Sequence, residues 1–190
     1  MNLNLFYEIL LSENPSDGIR NNESYFFNLI PELKECKGFN QNNPWHIYDV
    51  YEHILHVIDG VRDDLILRFT ALFHDIGKPY VYTEDENGIG HFYNHWNKSN
   101  EIFLNFAKKY SLDEDIIDTI SKLIIYHDFN FNVEDTKMIE IAKKLGKDNI
   151  KLLFEIKRSD LKAQNEKYNY LLDSYDNQEK RINLLLTQKD

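Results

Sequence analysis

Hydrophobic residues recur every three or four positions along most of this 190-residue chain, the spacing of helices that bury one face. Leu3, Phe6, Tyr7, Leu10 and Leu11 predict a short helix over 3–11, followed by a turn at Asn14-Pro15-Ser16-Asp17-Gly18. Residues 23–29 read as a second short helix stopped by Pro31, and the Gly- and Asn-containing stretch 37–44 reads as loop. Val50, Ile54, Val57, Ile58 and Val61 then form an apolar stripe over 47–61, closed by Gly60. Asp63 or Asp64 begins the next helix; its stripe is Leu65, Phe69, Leu72 and Ile76, it carries His74 and Asp75, and Gly77 and Pro79 close it.

The helical period lapses over 79–93. Tyr80, Val81, Tyr82 and Thr83, then Asp85-Glu86-Asn87-Gly88-Ile89-Gly90, predict an extended segment and turn, a small hairpin. Helices resume at 94–109, where His95, Ser99, Ile102, Phe103 and Phe106 share a face, and Asp113 caps a helix running to about Tyr126. That helix has Ile116, Ile120, Leu123, Ile124 and His127 in register. A short helix over 136–145 ends at Gly146, and a longer one over 148–167 turns Leu152, Leu153, Ile156, Asp160 and Ala163 inward. The last segment, 168–188, packs as a C-terminal helix through Leu171, Leu172, Tyr175, Ile182, Leu185 and Leu186. With no repeat or linker, the pattern predicts a single all-α domain over 1–190, a helical bundle with a small hairpin near 79–93.

Composition adds limits. With 42% hydrophobic residues, twelve Phe and twelve Tyr, the chain has the material for an ordinary core. Cys36 is the sole cysteine, which excludes an internal disulfide and a cysteine-built zinc site and suits a cytoplasmic setting. The start lacks a basic n-region, and no run approaches ~18 apolar residues, so neither a signal peptide nor a membrane span is expected. The formal charge of −10 disfavours binding along a nucleic-acid backbone, which draws its energy from cations displacing counterions. A small anionic substrate is compatible where metal ions or a few cations offset its charge locally. Nothing in the pattern constrains the oligomeric state.

The candidate chemistry lies where polar residues interrupt apolar faces. All seven histidines fall between positions 46 and 127. His95, His127 and Asp160 each sit on the apolar side of a predicted helix, where an unpartnered polar group costs on the order of 1–3 kcal/mol. His74 and Asp75 end an apolar helix. One lone His on such a face is more often a core residue than a ligand; the coincidence of several is reconciled by one metal centre in the middle of the bundle. His53, His74, Asp75 and Asp160 offer two imidazoles and two carboxylates, a set suited to divalent Mn, Fe, Co, Ni, Zn or Mg. His95 and His127 could hold a second ion with Asp75 bridging. Two ions ~3.5–4 Å apart can clamp a phosphoryl group and lower the pKa of a bridging water.

Spacing leaves several choices open. His53 and His56 lie three apart on one helix, His91 precedes its helix, and His46 beside Trp45 suits stacking or capping. A second His-Asp pair, His127-Asp128, shows that the dipeptide alone is a weak signal; Asp128 reads as a solvated helix end. Lys78 suits either contact with a substrate phosphate or neutralisation of a helix C-terminus.

The stretches Pro31-Glu32-Leu33, Gln41, His46-Ile-Tyr-Asp-Val-Tyr-Glu-His53, His74-Asp-Ile-Gly-Lys-Pro79 and His91-Phe-Tyr-Asn-His95, with the distant Asp160, resemble the HD-domain superfamily of metal-dependent phosphohydrolases. They are closest to the HD domain carried by some bacterial tRNA nucleotidyltransferases, over about residues 1–165. The resemblance implies His53 over His56 and His95 over His91 as ligands, and the His95 and His127 positions of members with two ions. It implies hydrolysis of a phosphomonoester or 2′,3′-cyclic phosphodiester of a nucleotide or similar small molecule, with Asp75, His74 and Lys78 as the catalytic group. Two alternatives stand beside it: a one-metal 5′-deoxynucleotidase using only His53, His74, Asp75 and Asp160, and a non-catalytic nucleotide-sensing module. The polymerase head of those transferases has no counterpart before the HD-like segment, so CCA addition and a tRNA partner are not expected.

Overall fold

Helices dominate the computed structural model, which describes residues 3–187. They are α1 (Asn4–Leu10), α2 (Pro15–Asn21), α3 (Glu23–Leu29), α4 (Pro31–Cys36), α5 (Val50–Gly60), α6 (Leu65–Phe73), α7 (Lys78–Val81), α8 (His95–Tyr110), α9 (Glu114–Tyr126), α10 (Asp135–Leu145), α11 (Lys147–Lys162) and α12 (Leu172–Thr187). A 3-10 turn, Glu166–Leu171, joins α11 to α12, and β1 (Thr83–Glu84) pairs antiparallel with β2 (Gly90–His91), Thr83 opposite His91. The predicted all-α bundle with a small hairpin is the architecture observed.

The starts of three helices are set by aspartates that accept from the orphan amides of the first turn. Asp49 accepts from Glu52 N at 2.7 Å, Asp64 from Leu67 N at 3.1 Å, and Asp113 from Asp115 N at 3.0 Å. Capping by Asp49 is why α5 begins at Val50 and not at Ile47, which is exposed.

Local rules fail where a distant contact decides. The stretch 14–18 is not a turn: Pro15 presets the first turn of α2, while Ser16 donates through N (3.1 Å) and Oγ (2.6 Å) to the Asp59 carboxylate on α5. Pro31 ends α3 but also opens α4, a helix that periodicity does not reveal. His74 and Asp75 lie just past α6, in a tight turn held by His74 N to Thr70 O (2.8 Å) and Lys78 N to Asp75 O (3.0 Å). Tyr80 and Val81, expected to be extended, are helical in α7; only Thr83–Glu84 and Gly90–His91 form the hairpin. Helix α11 stops at Lys162, and the last segment divides into the 3-10 turn and α12; position 188 of the expected final helix lies outside the described residues.

Two apolar clusters hold these elements. In the first, Phe6 meets Phe26, Phe69 and Phe106 at ring-centroid distances of 5.3–5.6 Å, tying α1, α3, α6 and α8 together. In the second, Met138, Leu145, Leu153, Phe154 and Ile182 join α10, α11 and α12. Helices α9 and α11 feed both: Ile120, Ile124 and Ile156 pack in the first, Leu123, Leu153 and Phe154 in the second. No helix among the described residues is long and apolar enough to cross a membrane.

The turn bearing Asp75 sits directly on α8. A Cβ at Gly77 would lie 2.5 Å from Ser99 N and 2.7 Å from His95 O, both backbone atoms, and Gly77 N donates to Ser99 Oγ at 2.9 Å. Gly77→Ala must therefore push α8 away, and should cost about 1–3 kcal/mol of stability in urea unfolding, the scale of overpacking a tight contact; an unchanged midpoint would contradict this packing. Cys36 is fully buried, and burial, then the nearby Asp75 charge, raises its thiol pKa well above the usual range. The native protein should resist Ellman's reagent at pH 8 and react only on unfolding.

Candidate metal centre

Five elements aim side chains at one point. His53 comes from the middle of α5, His74 and Asp75 from the turn after α6, His95 from the first residue of α8, His127 from the residue after α9, and Asp160 from the last turn of α11. Both histidines of the first pair, His53 and His74, are fully buried, and Asp75, His95 and His127 nearly so. The Asp160 side chain keeps 17% exposure, so the centre opens to solvent on its side.

Asp75 organises the group. Its Oδ2 lies 3.2 Å from His53 Nε2 and 3.4 Å from His74 Nε2; its Oδ1 lies 3.2 Å from His95 Nε2 and 3.6 Å from His127 Nε2. Asp160 Oδ1 completes the first set at 3.1 Å from His53 Nε2. Two groups of ligand-type atoms result, His53-His74-Asp75 and Asp75-His95-His127, each compact enough to hold an ion.

The other ring nitrogens point to the same use. Nδ1 of His74, His95 and His127 faces the carbonyl three residues earlier, at Ala71 (2.8 Å), Phe92 (2.9 Å) and Ile124 (2.7 Å), while Nδ1 of His53 faces Ala163 O at 3.3 Å. A carbonyl only accepts, so each Nδ1 carries the proton and each Nε2 keeps its lone pair. Such lone pairs then confront each other, His53 with His74 at 3.4 Å and His95 with His127 at 3.1 Å. Two acceptors do not bond each other. Asp75 Oδ1 likewise is buried without a hydrogen-bond donor. A cation in each group satisfies these atoms, so the residues fit divalent metal.

Charge agrees with geometry. Burial alone would raise the Asp75 carboxyl, but Lys78 and the imidazoles outweigh it and hold it well below the usual carboxylate range. Burial lowers His53, yet the pull of Asp160 and Asp75 wins and raises it to about 9. A lone pair that attracts a proton so strongly also attracts a metal cation.

Lys78 is buried, and its ammonium is directed at side chains and not at helix-end carbonyls: Asp75 Oδ2 at 2.6 Å, Gln41 Oε1 at 2.9 Å and His46 Nε2 at 3.5 Å. His46, pressed at 5.2 Å against the His53 ring, is pushed down to about 2 by burial and by Lys78, and stays neutral. Local pattern assigns Gln41 no role and His46 only stacking or capping, and does not reveal that both reach Lys78, because they sit in an aperiodic loop whose landing place it does not encode. Lys157 is signalled by its spacing, since it lies one turn before Asp160 on the same face of α11. It is buried, donates to the carbonyls of His127 (2.7 Å) and Phe129 (3.0 Å), and burial pulls it down to about 8. His56 is exposed and stacked on Tyr48, His91 faces Asp85 at 3.4 Å, and Asp128 is exposed at the rim; none of the three joins the two groups. A cleft of about 320 Å³ reaches the centre past Lys78, His91, Phe92 and Trp96.

Known proteins resemble this chain in two ways. The HD domain family matches residues 46–177. The A-adding tRNA nucleotidyltransferase of Deinococcus radiodurans is 39% identical over 72 residues, 35% of this chain but only 16% of that protein. The chain thus spans about a sixth of the length of that relative. Since the family match covers more than two thirds of the sequence and includes all six converging His and Asp residues, the chain belongs to the HD domain family, within the metal-dependent phosphohydrolase superfamily.

Proposed function

We propose that this protein is a metal-dependent phosphohydrolase acting on a phosphomonoester or 2′,3′-cyclic phosphodiester of a nucleotide or similar small molecule. The observation that carries the reading is the division of one carboxylate: Asp75 turns Oδ2 to His53 and His74, and Oδ1 to His95 and His127. His53, His74, Asp75 and Asp160 would hold one ion, and Asp75, His95 and His127 a second, drawn from Mn, Fe, Co, Ni, Zn or Mg. Bound there, divalent ions supply an acidified water and charge compensation for phosphoryl oxygens.

The chain's own residues do the rest. Lys78 holds Asp75 Oδ2 and is itself oriented by Gln41, whose Nε2 donates to Tyr48 O at 3.2 Å. Its ammonium lines the cleft, where its charge favours a phosphate oxygen. Neutral His46 adds no second cation beside Lys78, and the backbone carbonyls at Nδ1 of His74, His95 and His127 leave each Nε2 facing the centre. The acidic whole, at −10, suits a small phosphate ester drawn to a local positive centre more than a long nucleic acid. Adenylate transfer, in the relative's name, is not proposed, since the match covers 16% of that protein.

The alternatives make different predictions. A one-ion 5′-deoxynucleotidase would not need His95 and His127, and their contact with Asp75 Oδ1 speaks for the two-ion form. Purified protein should contain divalent transition metal, and Asp75→Ala should lose it together with phosphatase or cyclic-phosphodiesterase turnover, by about a thousandfold if the ions supply ~4 kcal/mol. Undiminished turnover would overturn the mechanism. His95→Ala and His127→Ala should each lower the metal content by one ion and cut the rate steeply; retained metal and rate would favour the one-ion form. Saturable nucleotide binding without hydrolysis across a panel of metals would instead mark a sensing module.

A further inference from the structure

The cleft continues beyond the metal centre. Past His127 and Asp160 a second compartment of about 470 Å³ runs between α11, the 3-10 turn and α12, within the size range of small-molecule sites, roughly 300–1,000 Å³. Its chemistry differs from that of the first. Where the first holds Lys78 and His91, the second is walled by amides, Asn130, Asn132, Gln164 and Gln178, with Ser174 and Tyr175 beside them. Each amide offers a donor and an acceptor without charge.

The one ammonium there is committed. Lys157 donates to two carbonyls and faces the Tyr175 ring at 5.0 Å. The remaining charges are the carboxylates of Asp128 and Asp160, which repel an additional phosphate.

Two observations point to a ligand. Gln178 Nε2 donates to Ser174 Oγ at 3.1 Å, but its Oε1 is buried with no partner, a state that costs on the order of 1–3 kcal/mol until a donor arrives. Trp45, also in the lining, is already fixed: its indole stacks on Tyr168 at 3.6 Å and 21°, and its carbonyl accepts from Asn165 N at 2.9 Å. A flat apolar surface ordered in advance, sharing the compartment with neutral hydrogen-bonding groups, matches a ligand with a planar face and a donor-acceptor edge.

We propose that this compartment is the subsite for the nucleobase and its sugar, with Gln178 and Asn132 reading the base edge and Trp45 bounding its face. The proposal rests on the phosphohydrolase reading for the position of the phosphate at the metal centre. It names the substrate class as nucleoside monophosphates and their 2′,3′-cyclic forms, in preference to base-free esters and nucleoside triphosphates.

The test has a binding arm and a turnover arm. In calorimetric titrations of the metal-loaded protein with adenosine, guanosine, cytidine and uridine, at least one should bind saturably, and Gln178→Leu should weaken it about tenfold, the effect of losing one hydrogen bond to a buried acceptor. Asn132→Ala, at an exposed position that leaves the fold intact, should weaken it in the same direction. In turnover, kcat/KM for nucleoside 2′,3′-cyclic and monophosphates should exceed that for glycerol 1,2-cyclic phosphate and glycerol phosphate, and both substitutions should shrink that ratio. Absence of nucleoside binding, an unchanged ratio, or a preference for triphosphates would overturn the subsite even if esters are hydrolysed. Nucleoside binding that is lost in the variants, with no ester hydrolysed, would overturn the phosphohydrolase reading and leave the subsite standing.

Discussion

A buried carboxylate with partners on every side is the constraint from which the rest of this structure follows. Asp75 is 2% exposed, and a charge removed from water costs several kcal/mol unless opposite charges or donors surround it. Here the surroundings come from four other segments: Lys78 at 2.6 Å, and imidazoles from α5, α8 and the end of α9. None of these segments can drift without stranding the charge. The tight seat of Gly77 on α8 and the Lys157 bonds to the carbonyls beyond α9 are the means by which two of them are held.

The balance of charge in the centre explains why a cation belongs there. Asp75 and Asp160 carry two negative charges beside the Lys78 ammonium, and a carbonyl at every Nδ1 leaves each Nε2 turned inward. The surplus is negative and the facing nitrogens repel one another, so protons or metal ions must enter. Metal ions do so without disturbing the tautomers that the backbone imposes.

Much of this could be read from the chain before folding was considered. Periodicity placed His95, Ile102 and Phe106 on one face and Asp160 beside Ile156, and all of these turn inward as expected. Asp113, Asp64 and the boundaries of α3 and α9 follow from local capping and propensity. What escaped depends on partners far away in sequence. Residues 15–21 are helical because Ser16 finds Asp59, forty-three positions on; Pro31 starts a helix whose Leu33 and Cys36 fill the first core. Gln41 and His46 reach Lys78 from a loop with no period. Sequence showed which helices face inward, but not which loop atoms meet them.

The metal centre and the second compartment answer to different constraints. Four of the ligand-bearing elements meet at Asp75 and α11 joins them through Asp160 on His53, while α9 and α11 are locked further because each packs in both cores. Helix α12 carries no ligand: it touches this region through Tyr175 against Lys157 and through the Arg158 guanidinium, paired with Asp176 and Glu179. Changes at Gln178 or Ser174 can therefore alter what the compartment accepts without moving an imidazole. A rigid centre that acts on the phosphate, beside a wall free to vary in what it recognises, is the division of labour this packing permits.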